Sequence, residues 1–542
     1  MRGRLKSVLR CKMRDKPRRL AFAPAPRNDY TSRRKTGGEF SGGLPVKGLT
    51  GIDATFLYME TPETPMHVAG LTLYEKPANL EGSFFEHFKA FFLERMHLAP
   101  IFEKKLARRV LELDHPGWVD AENMDFDYHL KQATLPAPGS WQQLENLVGE
   151  MHSVPLDRSQ PLWQFTVIDG LQSGEVAIYS KIHHAAVDGG AGMAIAAALY
   201  DMGPVPRKVK PPPPKKPVRV PSIEERAILG INDFVQSIQR QQLKAIEAVP
   251  QVLNTITDML LPAKGGKEGG SGGPGAGFAG GLPNIANLGD MLAPKTPFNV
   301  SITAQRSFAA RELSLADAKF IAKATGTKIN DVVMAVCAGA LRPYLQSRKK
   351  LPKKPLVAFV PISLRAPGDA EATNQVFGML CPIATQIADP LERLMEIRKK
   401  SGESKTMAGS VKDVSPKDFS LLGAPILLPG LAQLLGRSGL ADVMPSTTNL
   451  TISNVPGPPI PVFCAGAKVT AMYPVSIPVH GIALNLTVQS YVDKLDFGIT
   501  ADRKAVPDAD ALADLFAPAL AELKAAAEAL PSPRSRAEGV TK

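Results

Sequence analysis

The stretch SKIHHAAVDGGAG, residues 180–192, decides how this chain is read. It holds two of the nine histidines in the sequence, side by side, four residues ahead of an Asp-Gly-Gly. The preceding EVAIYSKIHH has the β-branched and aromatic content of a strand. Its end at Ile182 delivers His183 and His184 to a loop. Gly189, Gly190 and Gly192 then permit a tight turn and close backbone approach before the small-residue helix MAIAAALYDMG. Loops at strand ends on a rigid scaffold are a common seat for catalytic groups. A neutral imidazole there can take a proton from a hydroxyl, an effect of about 10²–10⁴ in rate. Asp188 is placed to hold an imidazole tautomer or to form a buried ion pair that fixes the loop. The alternatives are a packed histidine pair or a metal site, but no third ligand stands at a persuasive spacing, so no metal is expected.

Working outward, the chain divides into α/β halves. On the N-terminal side (48–203), SFFEHFKAFFLERMH and WQQLENLVGEMHS read as amphipathic helices, and LWQFTVIDG pairs with EVAIYSKIHH across the turn-prone GLQSG. On the C-terminal side (283–510), helical SLADAKFIAKATG and KINDVVMAVCAGALRPYLQSR precede the strand-like PLVAFVPISL, SNVPGPP, AKVTAMYPVS and IALNLTVQSYVDKLDFGITAD. Residues 204–282 read as a crossover. It comprises a proline-rich basic stretch, a helix opened by the capping pair Ser222 and Glu225, and a glycine-rich stretch. Residues 511–542 form a C-terminal helix and tail.

The net charge of +12 resides almost wholly in residues 1–47, which hold 14 Lys/Arg against three Asp/Glu. The remaining 50 basic and 49 acidic residues nearly cancel, which argues against a nucleic-acid partner. The tail reads as a disordered extension or as an element drawn to anionic lipid. It has no apolar signal-peptide core. The four cysteines are too widely spaced for a disulfide framework or zinc site, which indicates a reducing compartment. Residues 419–436 are uncharged, but Pro425 and Pro429 interrupt them, so an interfacial segment or pocket wall is expected rather than a membrane span.

The full HHAAVDG resembles the HHxxxDG signature of CoA- and carrier-dependent acyltransferases. Further stretches single out the bacterial wax ester synthase/diacylglycerol acyltransferase family. They are LTGIDATFLYMETPETPMHVAGL (49–71), FDYHLKQATLPAPG (126–139) and the PLW of Pro161, Leu162 and Trp163. In the second half they are the ND of Asn330 and Asp331, VPISLR (360–365) and SNVPGPP (453–459). The ordered set covers roughly residues 48–510.

The resemblance implies an α/β fold of two chloramphenicol-acetyltransferase-like domains joined by a crossover, with the site in the channel between them. It implies transfer of a long-chain acyl group from acyl-CoA, a substrate rather than a cofactor, to diacylglycerol or a long-chain alcohol. No acyl-enzyme is needed. In that scheme His184 is the base, Asp188 an orienter paired with an arginine for which Arg365 is a candidate, and Gly189 the turn residue. His183 either shares the chemistry or packs beneath it. Asn330, Asn454 and the amides near Gly457 are candidate oxyanion donors. Asp331 is either a helix cap or a substrate contact, and Trp163 either a channel wall or core. The expected location is cytoplasmic, peripheral to the inner membrane face or to lipid droplets; no oligomeric state follows. Two alternatives stay open: a condensation or polyketide-type acyltransferase with carrier-bound acyl groups, and a non-catalytic lipid-droplet protein.

Overall fold

The computed structural model describes residues 47–77, 80–107, 115–187, 189–212, 292–363, 376–411, 438–443 and 445–530. Asp188, Arg365, the basic tail to residue 46, the crossover from 213 to 291 and the apolar stretch 419–436 lie outside the described residues.

The first half supplies β1 (Lys47–Gly48), α1 (Gly51–Met59), β2 (His67–Glu75), α2 (Phe84–Arg95), β3 (Lys104–Leu106) and β4 (Gly117–Asp120). Then come α3 (Phe126–His129), β5 (Leu130–Thr134), α4 (Trp141–His152), β6 (Trp163–Asp169), β7 (Val176–His183) and α5 (Gly189–Leu199). The second half supplies β8 (Arg306–Ser314), α6 (Leu315–Thr325), α7 (Ile329–Ser347), β9 (Val357–Ser363), β10 (Val376–Pro382), α8 (Pro390–Val411) and α9 (Leu440–Val443). It ends with β11 (Leu450–Val455), β12 (Phe463–Cys464), β13 (Ala467–Val475), β14 (Leu484–Tyr491), β15 (Lys494–Asp502), α10 (Ala509–Ala513) and α11 (Phe516–Glu528). Among the described residues no helix is long and apolar enough to cross a membrane.

Two six-stranded sheets carry the fold, in the orders β12-β13-β2-β7-β6-β5 and β10-β9-β11-β14-β15-β8. The first is not built from the first half alone. The chain leaves the second sheet after β11, lays β13 against β2 with β12 outside it, and returns as β14. All described residues belong to one compact unit spanning Leu44–Lys542.

The pleat of β7 sends Val176, Ile178 and Ile182 into an aromatic core with Phe88, Phe92, Phe102, Trp163 and Phe165. Ala177 and Tyr179 join the opposite core, where Leu144 and Val148 of α4 meet Phe308 and Ala310 of β8. Lys181 and His183 continue that second face by the period of two.

Helix α4 begins in a capping box, with the Ser140 N–H donating to Gln143 Oε1 (2.6 Å) and the Gln143 N–H to Ser140 Oγ (3.3 Å). It lies along the edge strand β8 and satisfies its exposed donors: Ala310 N–H donates to Glu145 Oε1 (2.8 Å) and Arg306 N–H to Ser153 Oγ (2.9 Å). A Cβ at Gly149 would lie 2.8 Å from the Arg306 carbonyl oxygen, so glycine permits the close approach.

Candidate active site

The site is built on the end of β7. His183 is its last residue, fully buried, with His67 of β2 as its register partner. Its backbone N–H donates to the Leu162 carbonyl (2.9 Å), which fixes the strand end. The Ala185 N–H donates to Nδ1 (3.1 Å), so Nδ1 carries a lone pair and the ring proton sits on Nε2. That Nε2–H donates to Glu60 Oε2 at 2.7 Å. Both nitrogens of His183 are therefore engaged within the protein.

Glu60 follows α1 and is a hub. Its carboxylate accepts from His183 Nε2–H and the Met66 N–H (3.2 Å) at Oε2 and from Arg158 Nε (3.2 Å) at Oε1. Burial pushes its pKa up, but the hydrogen bond from His183, the Arg158 charge and the Met66 N–H together hold it below the ordinary carboxylate value.

His184 opens a short 3-10 turn over residues 184–186. Its N–H donates to the Met66 carbonyl (2.8 Å), so two hydrogen bonds in series link Glu60 to its backbone. The ring stacks on Phe56 of α1, with centroids 3.9 Å apart and planes at 16°. Nδ1 is buried without a hydrogen-bond partner among the described residues, and the ring makes no side-chain hydrogen bond to them. Burial drives the His184 pKa down to about 4, with its own backbone carbonyl opposing and the neighbouring His183 adding.

A buried polar layer backs the pair. His67 Nε2–H donates to the His152 carbonyl (3.0 Å). His152 accepts from the Tyr179 hydroxyl (2.8 Å) and donates to the Ser476 carbonyl (2.8 Å), tying α4 to the chain after β13. Lys181 Nζ donates to the Met151 and Val154 carbonyls at the end of α4 (3.1 and 2.9 Å), and burial lowers its pKa to about 8. Among the described residues no three His, Cys, Asp or Glu side chains stand together as a metal-ligand set.

A family model described as the wax ester synthase/diacylglycerol acyltransferase catalytic domain matches residues 49–333, and that of the family's C-terminal domain matches 372–524. The chain belongs to this family. A putative diacylglycerol O-acyltransferase of Mycobacterium tuberculosis is 34% identical over 478 residues, covering 88% of this chain and 99% of the relative. The O-acyltransferase WSD of Acinetobacter baylyi is 33% identical over 468 residues, 85% of this chain and 93% of its own. The solved wax ester synthase/diacylglycerol acyltransferase of Marinobacter aquaeolei VT8 superposes with a TM-score of 0.61 at 30% identity, over 89% of this chain and 100% of that one. The α/β architecture is thus that of the family, and the protein is an acyltransferase.

The structure sorts the motif residues. Pro161 and Leu162 contribute backbone: Pro161 O accepts the Trp163 N–H (2.9 Å) and Leu162 O holds His183. Trp163 is fully buried, donates Nε1–H to the Phe102 carbonyl (3.0 Å) and stacks on His129 at 4.2 Å. It is core, because the β6 pleat turns it away from the His183 face. Gly189 is the first residue of α5 and not part of a tight turn ahead of it: the helix starts four residues before Met193 and takes in Gly190 and Gly192.

Asp331 is a helix cap. Its Oδ2 accepts the Lys328 N–H (3.0 Å) and its Oδ1 the Ser401 hydroxyl (3.0 Å), which locks α7 to α8. Asn330 is half-buried in the first turn of α7, and Asn454 is half-buried on β11. No hydrogen bond among the described residues joins Asn330, Asp331 or Asn454 to the histidine loop. Near the candidate oxyanion donors, the Gly457 N–H donates to Ser490 Oγ (3.2 Å). A Cβ at Gly457 would lie 2.0 Å from the Ser490 carbonyl oxygen, so this motif glycine lets the loop cross the end of β14.

The strands β9, β11 and β14 run parallel. The VPIS and SNV motifs therefore leave the sheet side by side at its carboxyl end, where open α/β sheets place ligands. Sequence reading missed Glu60. Its signal lay inside the matched METPETPMHV segment, but nothing local marks which residue there meets a histidine 123 positions later.

Proposed function

We propose that this protein transfers a long-chain acyl group from acyl-CoA to the hydroxyl of diacylglycerol, and also to long-chain alcohols, with neutral His184 as the general base. One observation carries the reading: of the two adjacent imidazoles, His183 has both nitrogens engaged while the His184 ring makes no hydrogen bond to the described residues. His184 Nε2 takes the acceptor's hydroxyl proton as the oxygen attacks the thioester carbonyl. The tetrahedral intermediate collapses with cleavage of the C–S bond, and the departing thiolate receives that proton from the imidazolium, giving ester and CoA thiol. A pKa near 4 keeps the base form populated at neutral pH and makes the imidazolium a ready proton donor. Asp188 and Arg365 complete the scheme as orienter and ion-pair partner, with Asn330 and Asn454 as donors from the second half, around a channel between the halves. The enzyme works at the cytoplasmic face of the membrane or on lipid droplets, where its acceptors reside.

The test gives purified protein labelled palmitoyl-CoA with equal diacylglycerol and hexadecanol in detergent, then separates the products. Labelled triacylglycerol or wax ester that disappears with His184→Ala is the expected result. No neutral lipid from either acceptor, or undiminished transfer by His184→Ala, overturns the reading.

A further inference from the structure

Helix α5 (GGAGMAIAAAL) contains no polar residue, yet it lies at the surface. A helix that is apolar all round is ordinarily buried or faces lipid. Here Met193 is 67% exposed, and beyond the helix Met202 and Val205 are 73% and 82% exposed. Leu98, also exposed, sits in the turn after α2 that packs against α5. Exposed large apolar groups are unremarkable singly, but these four come from three segments in mutual contact.

The segment that carries Met202 and Val205 is held rigidly. Asp201, buried, accepts from Arg95 Nη1 (2.8 Å) and Arg207 Nη1 (2.5 Å). Arg95 Nη2 donates to the Arg207 carbonyl (2.6 Å), His97 Nε2 to the Lys210 carbonyl (2.9 Å), and Arg207 caps the Ala197 carbonyl of α5 and the Tyr200 carbonyl just beyond it. Buried Arg95 and Asp201, joined by the more exposed Arg207, thus fix apolar side chains outward. Arg207, Lys208 and Lys210 are exposed at their rim. An apolar patch edged by cations matches an anionic bilayer: side chains enter the acyl boundary while the basic groups meet headgroups.

We infer that the surface formed by Leu98, Met193, Met202 and Val205, rimmed by Arg207, Lys208 and Lys210, docks this enzyme on an anionic lipid bilayer. The inference rests on the proposed function for its purpose: α5 begins directly after the histidine loop, so docking there brings the catalytic turn to the surface from which a lipid acceptor enters.

The experiment measures co-sedimentation of the full chain with phosphatidylcholine vesicles, with and without phosphatidylglycerol. In Met202→Glu/Val205→Glu the partition coefficient falls at least about tenfold on both vesicle types. In Lys208→Glu/Lys210→Glu it falls only where phosphatidylglycerol is present. Both variants keep wild-type transfer, within about twofold, on detergent-dispersed acceptor. The basic tail is the same in every protein, so a difference reports on the patch. Vesicle binding unchanged in Met202→Glu/Val205→Glu overturns the inference. So does loss of a dimer on size exclusion with vesicle binding intact, which makes a second copy the occupant. So does an equal loss of activity in detergent. Absence of transfer by the wild type would refute the proposed function while leaving the vesicle result to stand or fall by itself.

Discussion

Replacing Glu60 by glutamine tests how the catalytic turn is held. The carboxylate accepts three hydrogen bonds, from His183 Nε2 at 2.7 Å and from Met66 N and Arg158 Nε at 3.2 Å. A glutamine keeps the shape but brings one acceptor and one donor. With its carbonyl in place of Oε2 it can still accept from both His183 and Met66, but its amide then opposes Arg158 Nε in place of Oε1, which pushes the side chain and the Met66–His184 link it supports out of position. Charge-assisted hydrogen bonds contribute about 1.5–3 kcal/mol and neutral ones about 0.5–1.5, so the exchange costs roughly 1–2 kcal/mol at this site. In a chain of this size that is a Tm shift under about 3 °C. The effect on catalysis should be larger, because a displacement of about 1 Å in a reacting group costs on the order of 10² in rate. The assay is steady-state transfer from labelled palmitoyl-CoA to diacylglycerol, with circular dichroism as the control for folding. The expected result is a kcat about 10–100-fold below wild type with KM for acyl-CoA changed less than about threefold. A folded Glu60→Gln protein with wild-type kcat refutes the claim that this carboxylate positions the turn.

Because the His184 pKa is lowered to about 4, kcat/KM should stay flat as pH falls through 6.5 and decline only toward pH 4; an acid limb near 6.5 in a pH profile contradicts the assignment. The linkage has the same sign. The unfolded chain binds the proton first, so His184 contributes stability that is full above about 6.5 and lost as pH falls toward 4. His184→Phe should therefore gain on the order of 3 kcal/mol relative to wild type between pH 7 and 4, read by urea titration at each pH. Gly457→Ala must push the loop off the Ser490 carbonyl and should cost several degrees in Tm, whereas Gly402→Ala, with open space around it on α8, should be neutral or slightly stabilising by calorimetry. Asp331→Ala removes the α7 cap and the Ser401 link, and should lower stability by about 1–2 kcal/mol in denaturant melts while KM for acyl-CoA stays near wild type; a selective rise in KM would make Asp331 a substrate contact.

What the sequence made legible was local. HHAAVDG could be read as a strand end and loop ahead of a helix because β7, the turn and α5 are contiguous, although the glycines read as a turn belong to the helix itself. Asp331 was legible as a cap for the same reason, though a substrate role fitted the motif equally. The fate of Trp163 was not, since only the pairing of β6 with β7 decides which face it occupies. Glu60 was invisible because its partner is brought to it by tertiary register, with His67 of β2 lying opposite His183. The transfer of β12 and β13 into the first sheet was equally silent, because AKVTAMYPVS alternates as any strand would and carries no mark of its neighbour.

That transfer constrains how the protein can be made. During synthesis β2, β6 and β7 can pair once residue 183 has emerged, but the outer edge of β2 waits for Val475. At about 5–20 residues per second the ribosome needs roughly 15–60 s to supply it. Through that interval the backbone donors and acceptors of β2 stay open to other nascent chains. A ribosome stalled in the second half would leave the histidine loop assembled on a sheet with a raw edge, and yield in a foreign host should track holdase supply more closely than codon speed in the first half.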